Sequence, residues 1–244
     1  MSNGKGLLSV VIPCFNEEKT IKELLDMVLK QDLVGEVIII DDSSTDSSVG
    51  IVKSLTDKRI TLVEHDKNKG KGAAIATGLK YSKLPYVIIQ DADLEYDPNE
   101  YADLMRPILA GKADVVFGSR FLTSTSRRVL YYWHHVGNSI LTNLSNIFTN
   151  IDLTDMETCY KVMTRKVAVS LNIRENRFGF EPEITAQIAA MHVRIFEIPI
   201  SYNGRTYEEG KKITWKDGFS ALRCIVKYNQ PKHKKRALRR YLEA

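Results

Sequence analysis

Tyr86-Val87-Ile88-Ile89-Gln90-Asp91-Ala92-Asp93-Leu94-Glu95 decides the reading of this chain. The apolar, β-branched run reads as a buried strand, and it delivers Asp91, Asp93 and Glu95 at its C-terminal end. In an open α/β sheet that end is where ligands bind. Three carboxylates this close repel one another and cost desolvation unless a cation sits among them. On spacing alone two readings stand: a metal site, or a polar turn running into a helix that starts at Asp97-Pro98.

The flanking sequence repeats the pattern. Leu7 to Ile12 reads as a strand stopped by Pro13, and Asn16-Glu17-Glu18 opens a helix to about Lys30 with Ile21, Leu24, Leu25, Val28 and Leu29 on its buried face. Glu36 to Ile40 is a second strand, ending in Asp41-Asp42-Ser43-Ser44, and Asp46 or a neighbouring serine caps a helix to about Leu55. Ile60 to Glu64 is a strand, Gly70 to Tyr81 a helix, Asn99 to about Ala110 a helix, and Ala113 to Arg120 a further strand. This alternation predicts an α/β fold with a mainly parallel sheet flanked by helices. Polar residues recur at the strand ends (Asn16 and Glu17, Asp41 and Asp42, the acidic cluster, Arg120), which together describe a binding cleft.

Beyond Arg120 the chain changes character. A Ser/Thr-rich loop spans Phe121 to Arg128, and Trp133, Val136, Ile140, Leu141, Leu144, Ile147 and Phe148 mark one face of an amphipathic helix. That stripe reads as core or a subunit interface in preference to a lipid groove. Thr158 to Thr164 reads as a short strand, Glu181 to Ala190 as a helix, and Val193 to Ile200 as an edge strand with Pro199 near its end. Asn203 to Lys212 is a polar, Gly-containing loop of the kind that closes over a site. Trp215, Phe219, Leu222 and Val226 mark a last packed helix before Pro231.

Composition is that of a globular domain: 244 residues, 43% hydrophobic and 27% charged. No apolar run approaches the roughly 20 residues that cross a bilayer, and Met1 to Gly6 shows no secretory signal. Cys14, Cys159 and Cys224 lack paired spacing, which argues against a disulfide framework or a zinc site and fits a reducing cytoplasm. The net charge of +5 is local. Lys232, Lys234, Lys235, Arg236, Arg239 and Arg240 face only Glu243 within the last stretch, and without it acidic and basic residues balance. A neutral body argues against a nucleic-acid partner. The sequence carries no signal for oligomeric state.

Asn68-Lys69-Gly70-Lys71-Gly72 precedes a helix and offers N–H groups to a phosphate, but it lacks the P-loop spacing and by itself reads as a tight loop-to-helix turn. His134-His135 lacks a second ligand at helical spacing and reads as surface. No Gly-x-Ser-x-Gly elbow is present. Arg205-Thr206-Tyr207-Glu208-Glu209-Gly210-Lys211-Lys212 places several cations near a Gly hinge, which suits a diphosphate leaving group if a carboxylate-bound cation covers its other side.

Taken together, these stretches resemble the family 2 glycosyltransferases, and within them the polyprenyl-phosphate branch of dolichol-phosphate mannose or glucose synthase type. The matching pieces are Val11-Ile12-Pro13-Cys14-Phe15-Asn16-Glu17-Glu18, Ile39-Ile40-Asp41-Asp42-Ser43-Ser44-Thr45-Asp46, Asn68-Lys69-Gly70-Lys71-Gly72, Gln90-Asp91-Ala92-Asp93, Gly118-Ser119-Arg120, and Glu197-Ile198-Pro199-Ile200-Ser201-Tyr202 leading into Arg205 and Gly210-Lys211-Lys212. The resemblance covers about residues 7 to 222. It implies a GT-A fold, a Rossmann-like sheet, in one domain over residues 1–228. Residues 1–120 form its nucleotide-sugar half and 121–228 its acceptor half, with 229–244 as a basic amphipathic tail.

By matching motif, Pro13, Phe15, Glu17 and Asp41 would line the nucleoside pocket, and Asp91 and Ala92 would lie beside the ribose and diphosphate. Lys71 belongs to the nucleotide-sugar set with them. Asp93 would hold Mg²⁺ or Mn²⁺ on the diphosphate, assisted by Asp91 and Glu95, although the branch often has Gln at the Glu95 position. Arg205 with Lys211 or Lys212 resembles the loop cations of the diphosphate, and Arg120 with Arg128 the acceptor-phosphate ligands. Asp93 and Arg120 are thereby the expected catalytic residues.

The implied activity is inverting, metal-dependent transfer of a hexose of mannose or glucose type from a GDP- or UDP-sugar to polyprenyl or dolichyl phosphate, at the cytoplasmic face of a membrane. Ala237, Leu238, Tyr241 and Leu242 share a face opposite Lys and Arg, which makes the tail a candidate peripheral membrane anchor. One rival keeps the fold with a saccharide or other hydroxyl acceptor in cell-surface polysaccharide synthesis, which requires a carboxylate base. Another is an inactive nucleotide-binding scaffold, against which the intact acidic triplet speaks.

Overall fold

The computed structural model describes residues 6–122, 128–129, 131–206, 208 and 215–244. Strands β1 (Leu8–Cys14), β2 (Val34–Asp41), β3 (Ile60–Glu64) and β4 (Tyr86–Ile89) alternate with helices α1 (Ile21–Leu29), α2 (Ser48–Ser54) and α3 (Lys71–Tyr81). A 3₁₀ turn at Pro98–Glu100 leads into α4 (Tyr101–Leu109), β5 (Val115–Ser119), α5 (Tyr132–Thr149) and β6 (Lys161–Thr164). Then follow α6 (Arg165–Ser170), α7 (Phe180–Ala190), β7 (Ile195–Pro199), α8 (Trp215–Tyr228) and α9 (Pro231–Glu243).

The seven strands form one sheet in the order β3-β2-β1-β4-β6-β5-β7. The pairs among β1, β2, β3 and β4 are parallel, as is β5 with β7, whereas β6 runs antiparallel to both β4 and β5. The expected mainly parallel sheet is present, with β6 wedged between two strands that alternation alone would place side by side. Two successive antiparallel pairings return β5 to the direction of β4. The C-terminal ends of β1, β2, β4 and β5 therefore open on one edge, and β7 is an edge strand as its Pro199 implies.

The central strands are buried on both faces, which is why they read as continuous apolar runs. The first helix begins at Ile21, later than the expected Asn16. Asn16 adopts φ +54°, and the N–H groups of Asn16, Glu17 and Glu18 donate across to Ser44 Oγ, Ser48 Oγ and Asp46 Oδ2 at 2.9–3.0 Å. These bonds tie the loop after β1 to the loop after β2 and the start of α2, and the left-handed Asn16 keeps a helix from beginning there. Nearly all of α7 is buried beneath α5, α8 and α9, so it shows no amphipathic stripe.

Two expectations need correction. In α5 the apolar stripe is split: Leu141 and Leu144 pack on the core beside the buried Thr142 and Ser145, whereas Trp133, Ile140 and Ile147 face outward. The basic segment after residue 228 is the helix α9, docked on α6 and α7. Ala237 is fully buried, Tyr241 packs on the core, and Arg240 donates to Ser170 O and Gln187 Oε1. The apolar side read as membrane-facing is thus largely consumed by the domain, and Leu242 alone of those four residues is strongly exposed. No described helix is long and apolar enough to cross a membrane.

Candidate active site

A cavity of about 570 Å³ opens on the edge where the strand ends meet, a size suited to a nucleotide-sized ligand. Pro13, Phe15 and Glu17 line it from the end of β1, Lys71 from the start of α3, and Asp91, Ala92, Asp93 and Glu95 from the end of β4. Tyr202 and Arg205 complete that wall from beyond β7.

The acidic turn is held from beneath. Gln90 is buried and accepts from the hydroxyls of Tyr101 and Tyr160, both at 2.7 Å, while its amide donates to Asp91 O at 3.0 Å. Thr20 Oγ1 donates to Ala92 O at 2.7 Å, pinning the turn to the start of α1. Leu94 adopts φ +62°, a conformation a branched side chain takes at an energetic cost and which is concentrated at functional turns.

Two cations reach into this turn. Lys71 Nζ lies 2.6 Å from Asp91 Oδ1. Arg205 spans three carboxylates: Nη2 is 2.8 Å from Asp93 Oδ2, Nη1 3.2 Å from Glu17 Oε2, and Nε 3.4 Å from Glu95 Oε1. Burial and the charges of Asp91 and Glu95 push the Asp93 carboxyl up to about 7 despite Arg205 and Lys71. Burial alone would lower the Lys71 ammonium, but the surrounding negative charge, Asp91 first, holds it above its ordinary value. The cluster therefore keeps an excess of negative charge. Glu95 also accepts from Tyr202 Oη and Arg205 N, both at 2.8 Å, and so orders the segment that carries Arg205.

Of the two aspartates ending β2, Asp42 lines the cavity and Asp41 lies beneath it. Asp42 accepts from Lys69 N and Gly70 N and bonds His65 Nδ1 at 2.7 Å, which fixes the loop into α3. Asp41 Oδ2 accepts from Ser44 N, and its Oδ1 is buried without a partner among the described residues. The Gly70 and Gly72 positions are explained by close packing. Gly70 has φ +95°, and a Cβ there would stand 2.3 Å from Asn176 O; at Gly72 it would stand 2.1 Å from Glu175 O. Asn176 O also accepts from Ala73 N, so part of the α3 N-terminus is satisfied within the chain.

The cations expected at the acceptor end lie to one side. Arg120 makes a bidentate pair with the fully buried Asp155, Nε to Oδ2 at 2.6 Å and Nη2 to Oδ1 at 2.7 Å. Its guanidinium packs over Tyr202 and Phe121. Arg128 N donates to Tyr202 O and Arg128 Nη1 to Gly204 O, bringing it beside the Arg205 segment. Lys211 and Lys212 lie outside the described residues.

Residues 9–170 match the pattern of glycosyl transferase family 2. The chain belongs to that family. This glycosyltransferase is 29% identical over 224 residues to the low-salt glycan biosynthesis hexosyltransferase Agl6 of Haloferax volcanii, an alignment covering 90% of this chain and 53% of that protein. It spans, then, about half the length of that relative. It is also 29% identical over 241 residues to a dolichyl-phosphate beta-glucosyltransferase of Dictyostelium discoideum, covering 88% and 70% of the two chains. Its fold matches glucosyl-3-phosphoglycerate synthase of Mycobacterium tuberculosis, crystallised with Mn²⁺, UDP and phosphoglyceric acid, with a TM-score of 0.68, 18% identity, and coverage of 91% of this chain and 78% of that one. The sheet is that of a GT-A glycosyltransferase, and the resemblance to the polyprenyl-phosphate branch holds.

Among the described residues, no three carboxylate, imidazole or thiolate groups of the glycosyltransferase converge into a complete metal-ligand set. Asp91 and Asp93 nevertheless fit a hard divalent cation that takes oxygen ligands and keeps water or substrate oxygens in its remaining positions. Their carboxylates face one cavity, and together with Glu17 and Glu95 they outnumber Lys71 and Arg205.

The sequence reading missed several supporting groups. Asn176, Arg177 and Phe178 line the cavity from the approach to α7, Tyr202 anchors Glu95, and Asp155 holds Arg120. Glu181 pairs with Lys161 in the interior. The pairing of a lone Asp and a lone Arg 35 positions apart has no local periodicity to announce it. Phe178-Gly179-Phe180-Glu181-Pro182-Glu183, aromatics and acids crowded at a helix start, was the available signal.

Proposed function

We propose that this glycosyltransferase moves a hexose from a nucleoside-diphosphate sugar to a polyprenyl phosphate with inversion, and that it uses Mg²⁺ or Mn²⁺. The observation that carries the reading is the carboxylate cluster of Glu17, Asp91, Asp93 and Glu95, under-neutralised by one Arg and one Lys at the mouth of a nucleotide-sized cavity. Donor binding would bring a diphosphate whose negative charge suits Arg205 and Lys71, leaving Asp93 and Asp91 as the residues that would hold the metal. Pro13 and Phe15 line the cavity where the base would lie in this reading, with the buried Asp41 beneath it.

A bound divalent cation offsets the charge that grows on the departing diphosphate. Arg205 and Lys71 share that role from the protein side. Glu95 and Tyr202 hold the Arg205 backbone in register, so the guanidinium is positioned before the bond breaks. An acceptor phosphate is ionised at neutral pH and attacks without a strong base. Arg128, which bonds Gly204 O beside the Arg205 segment, is the cation this reading assigns to it, and Arg120, clamped by Asp155, packs over Tyr202.

The relatives' names support the same chemistry: the Dictyostelium protein acts on dolichyl phosphate, and the Mycobacterium synthase binds UDP with Mn²⁺. The test is a panel of UDP- and GDP-hexoses with Mg²⁺ or Mn²⁺, with and without a polyprenyl phosphate, read by mass spectrometry. Formation of polyprenyl-phosphate hexose is expected. Transfer to a sugar hydroxyl with none to the lipid phosphate would replace this reading with the rival acceptor class.

A further inference from the structure

His65, the first residue after β3, is buried against Asp42, the first after β2. Their side chains are 6% and 4% exposed, and His65 Nδ1 lies 2.7 Å from Asp42 Oδ1. On its other side the ring reaches α3, with Nε2 3.0 Å from Thr77 Oγ1. The backbone strengthens the same junction, since His65 N donates to Asp41 O at 2.9 Å. One residue thereby ties together the ends of β2 and β3 and the body of α3.

The remaining bonds of Asp42 show what this junction holds. Its Oδ1 also accepts from Lys69 N at 2.9 Å, and its Oδ2 from Gly70 N at 2.6 Å. Asp42 lines the cavity, yet its hydrogen bonds run to His65 and to the loop entering α3. It works as a holder of that loop. Asn68, Lys69, Gly70 and Lys71 form the cavity rim on this side, and Lys71 opens α3 with its Nζ 2.6 Å from Asp91 Oδ1. The contacts close into a ring, from Thr77 through His65 and Asp42 to the Lys69 and Gly70 amides and back along α3. A shift of the ring therefore moves Lys71 relative to Asp91.

The partners explain why the bridging group is an imidazole. A carboxylate only accepts. Thr77 Oγ1 donates to Ala73 O at 3.1 Å, so toward the ring it is an acceptor as well. Imidazole carries a nitrogen on each side of a rigid ring and spans two such groups. Among the described residues His65 is the one side chain bonded to Asp42. Without it a buried carboxylate loses that donor and keeps only the two main-chain ones, a costly change at the rim of a cavity.

We propose that His65 is a positioning residue of the cavity: it holds Asp42, and through Asp42 the 68–71 rim with Lys71, in the register that receives a nucleoside diphosphate. The ligand class rests on the function proposed above, whereas the brace is a property of the fold.

The full chain is titrated with UDP and with GDP, each with Mn²⁺, and deuterium exchange of the Lys69 and Gly70 amides is followed by NMR without nucleotide. His65→Leu fills the space with neither bond, and it should bind the preferred nucleotide about tenfold more weakly. Both amides should exchange faster in that variant. His65→Asn puts an amide where Nδ1 stands and should recover most of both losses. Thr77→Val removes only the far bond and should leave nucleotide affinity unchanged, even where it lowers the melting temperature. In the transfer assay His65→Leu should raise the donor KM and keep kcat within about threefold, because His65 touches no reacting group. Parent-like affinity and exchange in His65→Leu would overturn the inference. So would equal losses in all three variants that track their melting temperatures, the mark of a merely structural histidine. If the parent binds neither nucleotide, the proposed donor class is rejected. Faster exchange in His65→Leu with recovery in His65→Asn then still upholds the brace, and unchanged exchange sinks it.

Discussion

Arg205 Nη2 stands 2.8 Å from Asp93 Oδ2, while the same guanidinium reaches Glu17 and Glu95. One side chain from the segment after β7 thus occupies the carboxylates that the proposed metal would need. Asp93→Ala is expected to lower kcat by about 10³-fold or more, the loss typical of removing charge stabilisation from a leaving group. Arg205→Ala should lower kcat by about 10²-fold yet tighten Mn²⁺ binding in the absence of nucleotide, since it removes the competing cation. Steady-state kinetics and Mn²⁺ titration by electron paramagnetic resonance check the two halves. Near-normal turnover by Asp93→Ala would end the metal assignment.

The Arg120–Asp155 pair is nearly closed to solvent and bidentate. Asp155→Ala leaves a buried guanidinium without its partner, and a loss of about 3–5 kcal/mol is expected from such an uncompensated charge. Urea denaturation measures it. A loss below about 1 kcal/mol would mean that Asn138 and the Tyr202 ring satisfy Arg120 unaided.

Gly72 is required by the chain that passes over it. A Cβ there meets Glu175 O at 2.1 Å and Phe180 Cβ at 2.9 Å, so Gly72→Ala must displace the 175–180 segment that lines the cavity. Overpacking of this kind costs about 1–3 kcal/mol, and donor affinity should fall with stability. Thermal melting and nucleotide titration should move together. Unchanged nucleotide affinity in a destabilised variant would separate this segment from the site.

Glu175 joins that segment to α8 through Arg223 Nη2 at 2.5 Å, Lys227 Nζ at 2.8 Å and Tyr228 Oη at 2.8 Å. Burial alone would raise its carboxyl, but the bonds from Lys227, Tyr228 and Arg223 outweigh it and push the group down to about 2 from the ordinary 4.5. A folded-state value below the unfolded one gives stability that is complete above pH 4.5 and is lost as pH falls toward 2. Glu175→Gln should therefore melt below the parent at neutral pH, and the gap should close across that acid window. A gap independent of pH would show that the carboxylate's charge is not what holds the segment.

What was legible in the sequence was local. β-branched runs and 3.6-residue periodicity placed β1 to β5 and α1 to α4, because each is set by which residues share a face of one element. The acidic turn after β4 was legible as well, since a strand end and three carboxylates lie within ten residues. What only the tertiary structure decided concerns partners distant in the chain. β6 enters between β4 and β5 because its edges satisfy both, a matter of long-range pairing that leaves no local trace. Asp155 was invisible as the counter-charge of Arg120, and Glu95 as the anchor of Tyr202 and Arg205. The pattern in α5 announced an amphipathic helix but not that the domain would take Leu141 and Leu144 together with Asn138, Thr142 and Asn146 and leave Trp133, Ile140 and Ile147 outside. Periodicity groups residues by face, whereas the orientation is set by groups distant in the chain, Asp155, Met156 N and the Leu153 backbone, which call for hydrogen-bonding partners.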